Sequence, residues 1–365
     1  VLRSSLRFAH EVACELRLGA GAWQALSELW RPAWKVAAVI GDETALGLFG
    51  PRLESLVAPR VERLRVLGFP PGEAHKTRET KARLEDELLA WGLDRGGCVL
   101  AVGGGLSLDV AGFVAATYQR GVPWLGLPTS LLAQVDACLG GKVAVNTPLG
   151  KNLVGAFHQP AAVLVEPAVL GSLPAEVWRD GLAEVVKHAL VADLDLFEHL
   201  EAEADLLRRP HALDEALLAR ALAVKAACVQ ADEREQDRRL ALNLGHTVGH
   251  ALEAFTRHDW SHGQAVAFGL RVELRLAARR VGFPAADCLR VDALLARLGF
   301  PPEPPGTAAE VLAWAVRDKK RRGGELRLAL PETIGRLAER AGRVALAVEP
   351  AELEDAWRRT PGASA

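Results

Sequence analysis

Four histidines, His246, His250, His258 and His262, crowd the stretch that runs from Asn243-Leu-Gly-His-Thr-Val-Gly-His to Trp260-Ser-His-Gly. On a helix, His246 and His250 stand about one turn apart and project from the same face, as a metal ion or an anionic substrate requires. His262 joins them only if the chain turns back, and Arg257-His-Asp-Trp-Ser-His-Gly is polar enough to contain that turn. A glycine precedes both His246 and His250, which leaves backbone room for a ligand.

A second polar group lies in Gly181-Leu-Ala-Glu184-Val-Val-Lys187-His188. Glu184 and Lys187 share a helix face with apolar neighbours, so both charges point toward an interior that needs a reason to hold them. One carboxylate with two imidazoles is the ligand set of many catalytic zinc sites, and Glu184, His246 and His262 could supply it. Upstream, the apolar run Cys98–Val102 leads into Gly103-Gly-Gly-Leu-Ser-Leu-Asp109 and then an apolar helix. Glycines at such a turn let backbone N–H groups and a helix N-terminus approach a pyrophosphate. Gly41-Asp-Glu-Thr stands where the ordinary dehydrogenase fingerprint would follow the first strand, so that pattern is excluded. Two Gly-Lys pairs, ending in Lys142 and Lys151, are expected on backbone-accessible loops and suit phosphate or carboxylate. With Lys225, Arg238, Arg239 and the Asp318-Lys319-Lys320 run, they point to an anionic substrate with more than one charge.

These groups need positioning elements. Short apolar runs at 35–40, 61–66, 98–102, 124–127 and 161–165 each end near glycine or proline and alternate with helical patterns such as 80–91. That texture predicts a parallel sheet covered on both faces. After residue 175 the pattern is helix upon helix, near 180–200, 212–231, 242–256 and 263–281, which predicts an α/β domain over 1–175 and a helical domain over 176–365. A chain of 365 residues is long enough for two cores. The net charge of -2, with no basic arm and no long apolar run, argues against nucleic acid or membrane as partner. Five scattered cysteines without a C-x-x-C pair are expected to be reduced thiols. The opening Val1-Leu-Arg-Ser-Ser-Leu-Arg lacks the apolar core of a signal peptide, so a cytoplasmic location is expected.

Taken in order, the motifs Gly72-Glu-Ala-His-Lys76, Gly103–Asp109, Pro128-Thr-Ser-Leu-Leu-Ala-Gln-Val-Asp136, Gly141-Lys142, Asn146, Gly150-Lys-Asn152, Gly181–Lys187, Asp232-Glu-Arg, Asn243–His250, His262-Gly263 and Asp318–Lys320 resemble those of 3-dehydroquinate synthases, within the sugar-phosphate cyclase superfamily, over almost the whole chain. The resemblance implies a Rossmann-like N-terminal NAD-binding domain, an all-α metal- and substrate-binding C-terminal domain, and an active site in the cleft between them. It implies Glu184, His246 and His262 as ligands of zinc or cobalt. Glu73, Lys76, Gly103, Gly104, Gly105, Ser107, Asp109, Thr129, Ser130, Asp136, Lys142 and Lys151 resemble the NAD contacts. His250, Asp136, Lys142, Asn152, Lys187, Lys225, Arg239 and Asn243 resemble substrate and catalytic positions, and Arg120 with Lys319 or Lys320 the phosphate contacts, Arg120 reaching a neighbouring subunit in a homodimer. The implied activity is a lyase reaction of the shikimate pathway, in aromatic amino acid and chorismate biosynthesis: 3-deoxy-D-arabino-heptulosonate 7-phosphate becomes 3-dehydroquinate and phosphate through transient NAD oxidation, β-elimination, reduction and aldol closure. Ser130, Ala137-Cys138 and Gln264 depart from the family's usual residues, and the last two bear on hydrogen bonds around the site. Another sugar-phosphate cyclase, a polyol dehydrogenase and an inactive scaffold are the rival readings.

Overall fold

The computed structural model describes residues 13–210, 214–257, 259–322 and 325–363, with 316–322 as backbone alone. The chain forms two compact units: one runs to Pro128 and takes in Gly141–Val165, and the other comprises Thr129–Gly140 and everything from Glu166 onward. The boundary thus falls between Val165 and Glu166, and the polar stretch after Pro128 belongs with the helices rather than with the sheet.

The sheet unit contains strands β1 (Glu15–Leu18), β2 (Val36–Asp42), β3 (Arg63–Phe69), β4 (Cys98–Gly103), β5 (Trp124–Pro128), β6 (Lys142–Thr147), β7 (Gly150–Phe157) and β8 (Ala162–Val165). Six of them make one sheet in the order β1-β8-β5-β4-β2-β3, every pairing parallel. Strands β4, β5 and β8 are buried along their whole length, because helices cover both faces of a parallel sheet; this is why they read as unbroken apolar runs. Helices α1 (Leu26–Leu29), α2 (Glu43–Val57), α3 (Arg78–Trp91) and α4 (Gly105–Thr117) lie between them. Asp42 caps α2 by accepting the Ala45 N–H at 3.0 Å, and Thr77 caps α3 from Thr80 at 3.2 Å. Strand β1 has no counterpart in the sequence reading. The two Gly-Lys pairs differ from expectation as well: Lys142 opens β6 and Lys151 lies in β7, and these strands form an antiparallel hairpin. Val143, Ala144 and Val145 are all buried in β6, and the two β-branched valines favour a strand over a loop.

In the helical unit, a single π-helical turn at Ala133–Ala137 precedes α5 (Ala175–Ala192), α6 (Leu194–Glu203), α7 (Glu215–Ala231), α8 (His246–Phe255), α9 (His262–Arg280), α10 (Ala285–Arg297), α11 (Ala308–Arg322) and α12 (Pro350–Arg358). Strands β9 (Arg327–Ala329) and β12 (Ala345–Ala347) pair, as do β10 (Pro331–Thr333) and β11 (Arg336–Leu337). Strands of two or three residues are too short to show a period of two, so the all-helical expectation missed them. Among the described residues, no helix is long and apolar enough to cross a membrane.

The histidines depend on how α8 crosses α9. A Cβ on Gly269 would lie 1.9 Å from the Gly245 carbonyl oxygen, so the two backbones touch where a side chain cannot fit. A Cβ on Gly249 would meet Ala265 backbone atoms at 3.3 Å, a contact that small shifts relieve. Gly269→Ala should therefore lower stability by ~1–3 kcal/mol or more, and Gly249→Ala by less, as read from urea midpoints; equal midpoints for the two variants would refute the close crossing.

Candidate active site

Glu184 sits in the middle of α5 and is fully buried. Its Oε1 lies 3.3 Å from Nε2 of His246 and 3.0 Å from Nε2 of His262, and its carboxylate also pairs with Lys187, one turn along the same helix. His246 is the first residue of α8 and His262 the first of α9, and the close packing of those helices brings both rings to Glu184 of α5. The ring centroids of His246 and His262 are 5.3 Å apart.

The second nitrogen of each ring fixes what the first can do. Nδ1 of His246 donates to the Leu244 carbonyl at 3.2 Å, which leaves the Nε2 lone pair facing Glu184. Nδ1 of His262 faces the buried carboxylate of Glu253 at 3.6 Å. Two imidazole Nε2 atoms and one carboxylate oxygen, all within 4.8 Å of one another, match the donor set of a divalent metal site. Burial alone would lower the His262 imidazole, but hydrogen bonding and charge from Glu184 and Glu253 push it up to about 10. Burial likewise opposes charge on Glu184, and Lys187 with the two histidines outweighs it, holding that carboxyl well below the usual range.

His262 is anchored from its own side. Ser261 accepts the Gln264 N–H, and the Gln264 side chain accepts the Ser261 N–H at 3.0 Å, a reciprocal capping box. Glutamine and glutamate serve that box equally, so the departure at 264 leaves the geometry intact. Ser261 also donates its hydroxyl to Asp180 of α5. At the start of α8, the Gly245 N–H donates to Glu273 at 2.7 Å, placing a buried carboxylate against the helix N-terminus.

Next to the metal-type cluster is a second group of buried charges. Asp136, carried by the π-helical turn, meets Lys225 at 2.7 Å, His188 at 3.4 Å and Lys187 at 3.7 Å. Burial opposes its charge, yet the two lysines and His188 hold it well below the usual carboxylate range. Arg239, also buried, donates to the carbonyls of Gly140 at 3.1 Å and Glu233 at 2.6 Å. The turn that carries Arg239 is fixed by Asp232, whose carboxylate accepts N–H groups of Gln236, Asp237 and Arg239. Asn243 donates to Glu235 at 3.2 Å. His250 is exposed, its ring 5.3 Å from that of His246. Thr129 and Ser130 are buried just after β5, with Ser130 accepting the Ala133 N–H at 3.3 Å.

The sheet unit holds a separate polar network. Gly103 ends β4 at φ 143, and a Cβ there would lie 2.4 Å from the Ser107 hydroxyl, so glycine is needed for the turn into α4. Gly104 caps α4 and Gly105 begins it, which leaves unpaired backbone donors at its N-terminus. Ser107 is buried and donates to Asp42 at 2.7 Å. Lys76 donates to both Asp109 and Asn152; Asn146 donates to Glu73 at 2.7 Å and accepts the Asn152 N–H at 3.0 Å. Burial raises the Asp109 carboxyl despite Lys76. Asn152 and the exposed Arg120 hold positive φ, 55 and 68. Lys142 is exposed and Lys151 half-buried. Lys319 and Lys320 lie on α11 with their side chains outside what is described, and His258 lies outside the described residues altogether.

Sequence reasoning passed over Glu253, Asp180 and Glu273, and it named His188 beside Lys187 without giving it a role. Glu253 stands seven residues after His246, on the same face of α8, and that spacing was the available signal. The others are scattered single charges with no local pattern.

Comparison with known proteins bears on all of this. The chain matches the family models described as 3-dehydroquinate synthase N-terminal over residues 66–180 and 3-dehydroquinate synthase C-terminal over 181–321. It is 42% identical over 330 residues, 89% of this chain and 92% of the relative, to the 3-dehydroquinate synthase of Bordetella pertussis. A solved 2-epi-5-epi-valiolone synthase from Streptomyces hygroscopicus, with NAD+ and Zn2+ bound, is similar at TM-score 0.86 and 28% identity, covering 98% of this chain and 99% of that one. A 2-deoxy-scyllo-inosose synthase complexed with carbaglucose-6-phosphate, NAD+ and Co2+ is similar at TM-score 0.84 and 25% identity, covering 94% and 96%.

The second charge cluster makes a prediction of its own. Asp136→Ala strips the shared carboxylate from buried Lys187 and Lys225 and should cost about 3–5 kcal/mol of stability, the size expected when one partner of a buried ion pair is removed. Urea unfolding at neutral pH checks it, and a loss below about 0.5 kcal/mol would show that the lysines do not depend on Asp136.

Proposed function

The chain belongs to the 3-dehydroquinate synthase family, and on that premise we propose how its residues divide the family's reaction. It is an enzyme, a carbon–oxygen lyase that converts 3-deoxy-D-arabino-heptulosonate 7-phosphate into 3-dehydroquinate and phosphate. One observation carries the division of roles: the Nε2 atoms of His246 and His262 converge on one oxygen of buried Glu184.

Glu184, His246 and His262 would hold a divalent zinc or cobalt ion. The Gly103-Gly104-Gly105 turn, with Glu73, Lys76, Asp109 and Lys151, would hold NAD, and Thr129 and Ser130 would add contacts to it. The NAD+ with Zn2+ or Co2+ in the two solved cyclases supports both assignments. When bound, NAD supplies a reversible hydride acceptor for the C5 alcohol and the metal supplies Lewis acidity at its oxygen. The proton at C6 is not acidic beside an alcohol and becomes acidic beside a ketone, so oxidation must come before β-elimination of phosphate.

The remaining roles follow from charge and placement. His250, exposed beside His246, would carry the alcohol proton away. Lys187, kept charged by Asp136 and Glu184, Lys225, paired with Asp136, and Arg239, pinned by two carbonyls, present positive charge to an anionic sugar acid. Arg239 suits a carboxylate, since a guanidinium binds it through two parallel hydrogen bonds. Asn243 would orient a substrate hydroxyl. Lys142, Asn152, Arg120 and Lys319 or Lys320 are the proposed phosphate ligands, with Arg120 serving a second subunit of a homodimer. A cytoplasmic location belongs to the same proposal, supported by family membership.

Incubation with the heptulosonate phosphate and substoichiometric NAD should release phosphate and dehydroquinate in equal amounts with no net NADH. Undiminished turnover after complete removal of NAD would refute the internal redox cycle, accumulating NADH would indicate a dehydrogenase, and preference for a phosphorylated sugar without a carboxylate would indicate another cyclase.

Metal uptake should be proton-linked. His262 is protonated below about 10 in the metal-free protein, so a metal must displace its Nε2 proton. Zinc affinity should fall about tenfold for each pH unit lowered between 9 and 7, with about one proton released per ion from this residue, measured by titration calorimetry in buffers of different ionisation enthalpy. Affinity independent of pH over that range would show that His262 is already neutral there and that no proton is displaced from it.

A further inference from the structure

We infer that Glu253 is a positioning residue for the metal site: its buried carboxylate holds the Nδ1 proton of His262 and so reserves Nε2 for the metal. The inference rests on the ligand set proposed above and extends it by one residue. Glu253 is 4% exposed and lies on α8, two turns beyond His246 on the same helix face. Its Oε1 stands 3.6 Å from Nδ1 of His262, while Nε2 of the same ring stands 3.0 Å from Glu184. The imidazole therefore lies between two buried carboxylates, one at each nitrogen.

The groups that act on His262 from the elements packed around it are Glu184 and Asp180 on α5 and Glu253 and His246 on α8. Asp180 is engaged by the hydroxyl of Ser261, so it steadies the turn rather than the ring nitrogen. Glu253 is thus the carboxylate that reaches Nδ1. A neutral imidazole carries its proton on one nitrogen only, and a carboxylate at Nδ1 decides which. With the proton at Nδ1, the Nε2 lone pair is free to coordinate, and the negative charge behind the ring raises its basicity as a ligand. His246 reaches the same tautomer by another route, through the Leu244 carbonyl. One ligand is thus set by a backbone carbonyl and the other by a buried charge. A carboxylate this deeply buried is costly without such a partner, which gives its position a reason beyond packing.

The test uses the full chain stripped of metal with a chelator and titrated with Zn2+ against a competing chelator of known affinity. Glu253→Leu should weaken Zn2+ binding by roughly 10–100-fold. Glu253→Asp, which keeps the charge but withdraws it by one methylene, should also bind more weakly. Glu253→Gln, whose amide oxygen still accepts the Nδ1 proton, should stay much closer to wild type than either. The visible spectrum of the Co2+-loaded protein gives a second readout, with the ligand-field bands shifted in the Leu and Asp variants and near wild type in the Gln variant. If Glu253→Leu does not fold, judged by circular dichroism of the metal-free form, the Asp and Gln pair decides. Wild-type Zn2+ affinity and Co2+ spectra in both the Leu and Asp variants would overturn the inference while leaving the ligand set standing. Failure of the wild-type chain itself to bind Zn2+ would overturn the ligand set, and the inference with it.

Discussion

A carboxylate with no solvent access must find its compensation within the protein, and in this chain that demand falls on Glu184. Three groups answer it: Lys187 from the same helix and the Nε2 atoms of His246 and His262 from the starts of two others. Lys187 is itself buried, and it is shared with Asp136, which recruits Lys225 and His188 in turn. The result is a chain of alternating charge in which each member is affordable only because of its neighbours. Helices α5, α7, α8 and α9 and the π-helical turn each contribute at least one member, so the packing of the helical unit and the layout of its reactive groups are one problem.

The glycines solve the geometric half of that problem. Histidines at the first residues of α8 and α9 can meet only if those helices cross at backbone contact, and Gly245 with Gly269 permits it. The same arrangement draws helix N-termini into the interior, where their free N–H groups need acceptors. Glu273 takes the Gly245 N–H, and the Ser261–Gln264 box satisfies the start of α9. Side chains that look like ordinary caps are therefore what holds two of the three proposed ligands in register with the third.

What the sequence made legible follows from which interactions are local. The inner sheet strands were visible because a parallel strand buried on both faces is an unbroken apolar run bounded by glycine or proline, as at Cys98–Gly103, whereas the exposed edge strand β1 carried no such run. Glu184, His246 and His262 stood out because charged and imidazole groups on apolar faces are anomalous. The hairpin that carries Lys142 and Lys151 was not legible: glycines beside both lysines suggested loops, whereas Val143, Val145 and the pairing with β7 decided for strands. The allegiance of Thr129–Gly140 was hidden as well, since it follows strand β5 without a break in composition. It joins the helices through the contacts of Asp136 with Lys187 and Lys225, which are long-range in sequence. Glu253 was missed for a related reason. Its spacing from His246 marks a shared face, but its partner His262 comes from the next helix, and only the crossing of α8 and α9 brings the two together.

The cluster also shows how such a site can be kept ready. Glu184 and Glu253 are buried carboxylates and Asp136 a partly buried one, and Lys187 and Lys225 are the buried lysines of the same cluster. Glu184 and Glu253 together favour a proton at the His262 Nε2 that faces Glu184. Exchange of that proton for a dication changes the local charge by one unit and requires no ring to turn, because both Nε2 atoms already face the carboxylate. A proton bound there would give way to the proposed metal with little reorganisation of the fold. Affinity at the proposed site would then depend on the second nitrogen of each ring as much as on the first.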